Sequence, residues 1–201
     1  ELLGENPEMG AVDKVEALTR KGGALMETDR PAQAKFALES AVILYSKQEA
    51  VDETTPDYYY SMAQFKLAEI AHNEMRKIPL PPDDENLAQI LEKKCQLLLE
   101  SQYLYTKVIR IGHPHWSAAA AYRTGALYHH LWEDMLAAEP PSALDAQERG
   151  IYQEILRKRI KILLRKAVIQ WRRTMKFAIR LGLDNHWVES TRADLEKIEK
   201  R

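Results

Sequence analysis

The stretch from Asp145 to Arg180 constrains the fold of this chain more than any other part. No proline interrupts it, and its apolar residues recur at the spacing of an α-helix, about 3.6 residues per turn. The predicted apolar face consists of Leu156, Ile160, Leu163, Ala167, Trp171, Ala178 and Leu181. Between Arg157 and Arg180 the opposite face carries ten basic residues and no acidic one, namely Arg157, Lys158, Arg159, Lys161, Arg165, Lys166, Arg172, Arg173, Lys176 and Arg180. The pattern predicts one long amphipathic helix with a cationic back.

Prolines and turn residues divide the rest of the chain into further helical stretches. The predicted helices cover about 9–27, 31–47, 57–77, 85–111, 116–138, 145–180 and 184–200. Gly182 is the expected C′ residue, just past the end of the sixth helix, and Asp184 is the expected N-cap of the last. No stretch alternates with a period of two for long enough to predict a strand. The sequence therefore predicts an all-α domain over 1–201, with hairpins at about 9–47, 57–111 and 116–181 and a capping helix at 184–200.

Charge is segregated along the chain. Residues 1–150 hold 24 acidic and 15 basic residues, whereas residues 151–201 hold 6 acidic and 14 basic ones. Apolar residues make up 45% and charged residues 29%, as in ordinary globular proteins. The single cysteine, Cys95, excludes an internal disulfide, and its leucine-rich surroundings predict that it is buried. No apolar run is long enough to cross a bilayer, and no signal peptide is recognisable.

Several apolar and small residues resemble the packing positions of a tetratricopeptide repeat. The first set is Leu18, Gly22, Leu25, Ala34, Leu38 and Ala41; the second is Gln64, Leu67, Ala68, Ala71, Ser101, Tyr105 and Val108; the third is Ala121, Gly125, Tyr128, Ala167, Trp171 and Thr174. The spacing departs from the family, because Gly22, Ala68 and Gly125 lie 46 and 57 residues apart. The family period is about 34 residues. The resemblance implies a solenoid of helical hairpins with an elongated C-terminal hairpin.

From residue 57 onward the chain resembles the divergent tetratricopeptide proteins of deltaproteobacteria, including those of the myxobacterial gliding-motility apparatus. The resemblance rests on residues 121–128, the Pro140-Pro141 joint, Gln147, Ile151, Tyr152, Leu181, Gly182, Asn185 and Trp187. It implies a non-enzymatic scaffold in a bacterial cell-envelope assembly, in the periplasm or at the outer membrane. A cytoplasmic location is the alternative.

The repeat register predicts a concave groove that binds a partner peptide or helix. Its lining would be Met62, Phe65, Glu69, His72, Asn73, Tyr122, His129 and His130. The alternative is that Phe65 and Tyr122 pack against a neighbouring helix within the chain. The groove lacks the Lys and Asn with which chaperone-binding members hold a terminal carboxylate, so binding of that kind is not expected.

The cationic helix is the second predicted docking surface. Ile155, Ile162 and Ile169 form an apolar stripe on its outward side, and no carboxylate interleaves with the cations to pair with them at i,i+4 spacing. The predicted face comprises Ile155, Arg157, Lys158, Arg159, Lys161, Ile162, Arg165, Lys166, Arg172 and Arg173. Such a face suits an acidic partner helix, anionic lipid headgroups or a subunit contact, and the alternative is a solvated surface.

The sequence carries no motif for catalysis or for cofactor binding. It has no phosphate-binding loop, nucleophile elbow or His-Glu-x-x-His zinc motif. His129 and His130 precede Glu133 and Asp134 by one turn, but zinc needs three or four converging ligands, so we expect no metal. Two other functions stay open: a nucleic-acid-binding or anionic-membrane-binding module that uses residues 157–180, or an accessory subunit of an enzyme. Nucleic acid is disfavoured because Trp171 is predicted to face the core rather than a base.

Overall fold

A computed structural model describes residues 10–47, 58–83 and 85–200. These residues form seven helices and no strand, which confirms the all-α class. The helices are α1 (Ala11–Glu27), α2 (Pro31–Ser46), α3 (Tyr58–Lys77), α4 (Leu87–Ile111), α5 (Pro114–Ala137), α6 (Ala146–Leu181) and α7 (His186–Glu199). The predicted starts at Met9 and Asp57 lie outside the described residues. Consecutive helices pack as hairpins, as predicted.

Local chemistry fixes both ends of α6. The Asp145 carboxylate accepts hydrogen bonds from the backbone N–H groups of Gln147 and Glu148 at 2.8 and 2.9 Å, and Glu148 accepts one in return from the Asp145 N–H at 3.0 Å. This reciprocal capping box satisfies donors that the first turn leaves without a helical partner. At the other end Gly182 has φ 61°, the left-handed conformation that glycine adopts without strain.

The N-cap of α7 is Asn185, so the prediction of Asp184 was wrong by one residue. The Asn185 side chain accepts hydrogen bonds from the N–H groups of Trp187 and Val188 at 3.0 and 3.2 Å. The reason for the shift lies at the end of α6, where the Gly182 and Leu183 N–H groups still donate to its last turn. The chain therefore needs one further residue before a new helix can begin.

The described residues divide into two compact units. The first contains the residues up to Ile70 together with Tyr103–Ala120, and the second contains Ala71–Gln102 together with the residues from Ala121 onward. Helices α3, α4 and α5 contribute residues to both units. Hairpin α1–α2 belongs to the first unit, and α6 and α7 belong to the second.

In the first unit, a glycine marks the contact between α1 and α2. A Cβ atom added at Gly22 would meet Leu38 Cγ at 2.5 Å, closer than real Cβ contacts come. The core around this contact consists of Val15, Ala34, Leu38, Ala41, Ala63 and Ile70. The small residue thus lies where the sequence predicted that the two helices of the hairpin touch.

In the second unit, Gly125 on α5 has the corresponding relation to Trp171 on α6. A Cβ at Gly125 would clash with the indole of Trp171, which is fully buried. The indole N–H donates a hydrogen bond to the backbone oxygen of Tyr122 at 3.0 Å. The core extends through Met75, Leu98, Ala126, Leu127, Tyr128, Leu131, Ala167 and Leu195. Trp171 is thus buried with a hydrogen-bond acceptor for its indole N–H, and this contact fixes how α5 and α6 pack.

Two predictions of burial were wrong. Cys95 is exposed, and its neighbour Lys94 is buried instead, with 1% of its surface accessible. Lys94 lies on the inner face of α4 with Leu98 and Ser101, whereas Cys95 is rotated by about 100° away from that face. Leu181, predicted on the core face of α6, is exposed because it is the last residue of the helix, directly before the turn at Gly182.

The burial of Lys94 is compensated by hydrogen bonds to backbone carbonyl groups at the C-terminal end of α3. The Lys94 ammonium group donates to the backbone oxygens of Met75 and Ile78, each at 2.9 Å, and forms an ion pair with Asp134 at 2.8 Å. Carbonyl groups at the C-terminal end of a helix have no partner within the helix and carry partial negative charge. Lys94 therefore caps α3 from the neighbouring helix and links α4 to α5 in the same unit.

Candidate functional site

Helix α6 has one buried face and one cationic face, as the sequence predicted. Its buried residues are Ile160, Ala167, Trp171, Thr174 and Ala178. All ten basic residues from Arg157 to Arg180 are exposed. Leu156 and Leu163 of the predicted apolar face are partly buried. The helix is 36 residues long, which corresponds to about 54 Å at 1.5 Å per residue.

The predicted isoleucine stripe lies at the surface of α6. Ile155, Ile162 and Ile169 are 48%, 50% and 43% exposed. Helix α7 packs on α6 but leaves Ile169 accessible. Ile151 lies one turn before Ile155 and is exposed too, so it extends the stripe toward the start of the helix. We call the surface of Ile155, Ile162, Ile169 and their flanking cations the α6 face.

The α6 face has a seven-residue repeat that the sequence analysis recognised only in part. Each isoleucine of the stripe is followed three and four residues later by two basic residues: Lys158 and Arg159, Arg165 and Lys166, Arg172 and Arg173. Residues at i+3 and i+4 lie on either side of residue i, one turn along the helix. Each isoleucine is therefore bordered by a cation on both sides. The sequence itself contained this signal, as three consecutive heptads with the pattern Ile-x-x-basic-basic.

Three of these cations make contacts with other side chains. Lys158 pairs with Glu154 at 2.7 Å across one helical turn, so the prediction that no i,i+4 pair involves these cations was wrong for this one. Arg172 pairs with Glu199 of α7 at 2.8 Å, and the Lys166 ammonium lies 5.1 Å from the ring centre of Tyr128. Exposed pairs of this kind contribute about 0–1 kcal/mol. These three contacts orient the side chains of Lys158, Arg172 and Lys166, and the other cations keep the face positively charged.

The remaining cations of α6 form no ion pair with any residue in the described parts of the chain. These residues are Arg157, Arg159, Lys161, Arg165, Arg173, Lys176 and Arg180. Their charges create a positive electrostatic potential on one side of the helix. This potential attracts negatively charged partners over about a Debye length.

Of the predicted groove residues in the first unit, Phe65 does not reach the surface. Phe65 is buried, and its ring centre lies 5.8 Å from that of Tyr105 and 5.2 Å from that of Trp116. Met62 and Glu69, the other groove residues of this unit, are half-buried. The structure thus places Phe65 in internal packing, which was the alternative to a groove.

In the second unit the predicted groove residues also contact one another or the core. His72 and His129 are buried, and His129 packs against the indole rings of Trp132 and Trp171. The Tyr122 hydroxyl donates to Asp194 at 2.9 Å. Only Asn73 is exposed, while Tyr122 and His130 are half-buried. The contacts of His72, His129 and Tyr122 join α3, α6 and α7 to α5.

His72, which is buried, and His130, which is half-buried, form a pair between α3 and α5. Nε2 of His72 lies 3.0 Å from Nδ1 of His130, so one ring donates a hydrogen bond to the other. Burial, together with the charges of His130, Arg123 and Arg76, lowers the pKa of His72 to about 3. Burial and the charges of Arg76, His129 and Arg123 lower the pKa of His130 to about 3. Both rings are therefore neutral near pH 7.

Metal-ligating side chains do not converge anywhere in the parts of the chain that the structure describes. No three His, Cys, Asp or Glu residues there are grouped so that they could hold a metal ion. Over the same residues, no helix combines the length and the apolarity needed to cross a membrane.

Comparisons with known proteins returned no match, whether to protein-family models, to curated proteins or to solved structures. The resemblance to tetratricopeptide proteins therefore stays a prediction that rests on the residues given above.

Proposed function

We propose that this protein is a non-enzymatic interaction scaffold and that the α6 face docks an acidic amphipathic helix of a partner protein. The observation that carries the proposal is the repeat of α6, in which the exposed residues Ile155, Ile162 and Ile169 are each bordered by two cations. The interaction would be one of helix against helix along the stripe.

The spacing of the stripe favours a helical partner. Apolar residues seven apart remain on one side when two helices coil around each other with about 3.5 residues per turn. The stripe on α6 supplies one apolar residue per heptad, whereas a full coiled-coil seam has two, so the flanking cations lie within the contact and a complementary partner offers carboxylates there. A membrane surface favours a broad apolar face instead, because the helix must bury that face among the acyl chains.

The cations favour an acidic partner. In paired helices the residues that flank the apolar seam determine the choice of partner through their charges. Here the flanks are basic on both sides of Ile155, Ile162 and Ile169, so a partner with Glu or Asp at its own flanking positions is complementary. A second basic helix of the same kind is repelled.

Contacts within the chain hold helix α6 at both ends and along its inner face. Its capping box, its left-handed glycine and the buried Trp171 fix both the ends and the inner face. A surface that is already ordered loses little conformational entropy on association. An ordered helix also suits a scaffold, because it keeps a docked partner in a constant position.

The family resemblance supports the cellular setting of this proposal. It suggests a bacterial cell-envelope assembly, such as a motility machine, as the place where the scaffold works. A role as an accessory subunit of an enzyme would use the same docking surface, and activity would then appear only with the partner present.

A synthetic acidic helix tests the proposal directly. The probe is a peptide of about four heptads with leucine at the two seam positions and glutamate at the flanking positions, which repels copies of itself at neutral pH. We expect it to bind the intact chain by fluorescence anisotropy, and we expect the affinity to fall as salt is raised from about 50 to about 300 mM. Replacing Ile155, Ile162 and Ile169 by serine should weaken binding by at least about tenfold.

The matched control is Ile179→Ser, because Ile179 is an exposed isoleucine of α6 that lies outside the stripe. This variant should bind the peptide as the parent chain does. The proposal fails if the peptide does not bind, or if the stripe and control variants lose affinity equally. Binding of anionic vesicles or duplex DNA that is tighter than peptide binding and insensitive to the serine substitutions would favour the electrostatic alternative.

A further inference from the structure

Helix α2 exposes apolar side chains that its hairpin with α1 does not bury. Its inner face is Ala34, Ala37, Leu38 and Ala41, all buried. Phe36 on the outer side is 74% exposed, and Ile43, two turns later, is exposed as well. The outer side of α2 is mixed, because Lys35 and Glu39 are exposed there as well.

Next to Phe36 lies a groove between α1 and α2, with a volume of about 620 Å³. Leu18, Leu25, Phe36 and Ala37 form its apolar lining. Pockets that bind small molecules or peptide side chains in proteins have volumes of about 300–1,000 Å³. The groove is therefore large enough for one or two side chains of a partner together with the backbone that joins them.

The polar residues of this groove are cationic or neutral. Lys21 and Arg30 contribute positive charge, Gln33 contributes an amide, and among the described residues no acidic one lines the groove. Neither cation forms an ion pair with another residue of the described chain. An apolar lining with two cations beside it complements an apolar side chain that is followed or preceded by a carboxylate.

We propose that the groove between α1 and α2 binds a short peptide segment of a partner protein, in which an aromatic or aliphatic anchor lies next to Asp or Glu. The anchor packs between Phe36 and Leu25, and the carboxylates lie near Lys21 and Arg30. The Gln33 amide can both donate and accept a hydrogen bond, which suits a peptide backbone better than an acyl chain. The groove uses no residue of the α6 face, so this site stands independently of the function proposed above.

A second copy of the chain is a poorer occupant. In a two-fold symmetric contact the same surface meets itself. Lys21 and Arg30 of one copy would then face the same cations of the other, and the described lining of the groove offers no acidic residue to offset them. A partner with acidic residues avoids this repulsion.

The experiment is selection from a random 12-residue peptide library displayed on phage, with the full chain as target. We expect enriched peptides to combine Phe, Leu or Trp with Asp or Glu. The synthetic form of the most enriched peptide should lose at least about tenfold in affinity with Phe36→Ser, and separately with Lys21→Glu plus Arg30→Glu. Ile43→Ser, an exposed apolar residue of α2 outside the groove, is the matched control and should retain binding.

Several results would overturn the proposal. One is that no peptide is enriched, or that the enriched peptides bind the Phe36→Ser variant as well as the parent chain. Another is a dimer in light scattering that Phe36→Ser dissociates, which would assign the groove to a second copy. A third is laurate binding that depends on Phe36 while peptides do not bind, which would assign it to amphiphiles. Because the α6 stripe variant should bind the selected peptide normally, failure here leaves the α6 proposal untouched.

Discussion

Lys93 and Lys94 are adjacent on α4, yet their surroundings differ completely. Lys93 is exposed, whereas the Lys94 ammonium is enclosed by two carbonyl oxygens at the end of α3 and the carboxylate of Asp134. Burial of a charge is tolerated only when hydrogen bonds and an opposite charge compensate it. The contrast makes this pair of lysines a controlled test of how α3, α4 and α5 are held together.

We expect Lys94→Met to destabilise the protein by about 3 kcal/mol, because it leaves Asp134 and two helix-end carbonyls without their donor. Lys93→Met should change the free energy of unfolding by less than about 0.5 kcal/mol. Urea unfolding followed by circular dichroism measures both. Equal effects of the two substitutions would contradict the assignment of Lys94 as a cap.

Gly125 and Gly150 provide a second controlled comparison. A methyl group at Gly125 would collide with the Trp171 indole, while nothing lies within 4 Å of the position it would take at Gly150. Gly125→Ala should therefore destabilise the protein by about 1–3 kcal/mol, the usual cost of overpacking. Gly150→Ala should stabilise it by about 0.5–1 kcal/mol, because alanine favours the helix. Thermal unfolding distinguishes these signs, and a stabilising Gly125→Ala would contradict the described packing.

Residue-scale predictions from the sequence succeeded for Trp171 in the middle of a long helix and failed at the end of that helix, for Leu181, and at Cys95. Trp171 was predicted in the core and is fully buried. Cys95 was predicted to be buried because leucines flank it, but burial follows the angular position on the helix, and that position belongs to Lys94. A buried lysine becomes predictable only once the end of α3 is known to lie beside it.

At the scale of elements, the His72–His130 contact joins α3 to α5 and should make the second unit sensitive to acid. Arg76 on α3 and Arg123 on α5 face the pair, and Glu133 lies 3.8 Å from the neighbouring His129. Both histidines have a pKa of about 3 in the folded chain, against 6.5 as the ordinary value. Between these pH values the unfolded chain binds protons that the folded chain does not.

It follows that the stabilisation from the neutral pair is complete above about pH 6.5 and is lost as the pH falls toward 3. Each histidine contributes a slope of up to about 1.4 kcal/mol per pH unit in this window. Replacing both by glutamine should flatten the dependence of unfolding free energy on pH between 6 and 4, as measured in urea titrations. His186→Gln, at an exposed histidine, is the control and should leave the slope unchanged. Parallel curves for all three proteins would contradict the neutral pair.

Helix positions were largely predictable because proline, glycine and capping residues mark the ends. The role of individual helix faces was less predictable than the positions of the helices. The repeat register placed Phe65, His72 and His129 in an open groove, whereas side chains from neighbouring helices cover all three. Periodicity identifies an apolar face, but it does not tell whether that face meets a partner or another helix of the same chain.

At the scale of the whole molecule, the segregation of charge along the sequence corresponds to one cationic helix in the second unit. The sequence predicted this surface because ten basic residues and no acidic one occur between Arg157 and Arg180, so the exposed side of that part of the helix has to be cationic. It did not predict the division into two units, since α3, α4 and α5 each run through both without a break in pattern. The groove between α1 and α2 was also not predictable, as it depends on how two helices pack.

The measurement that tests the central claim most directly is site-specific photo-crosslinking in native extract. A benzoylphenylalanine at Ile162 is compared with one at Ile179, both exposed positions of α6, and the crosslinked peptides are sequenced by mass spectrometry. We predict that crosslinks from Ile162 converge on one amphipathic helix rich in Asp and Glu and weaken when Lys158, Arg165 and Arg172 are replaced by glutamate. Equal crosslinking from both positions, or products from Ile162 that contain only lipid or nucleic acid, would contradict the claim that the α6 face docks an acidic helix.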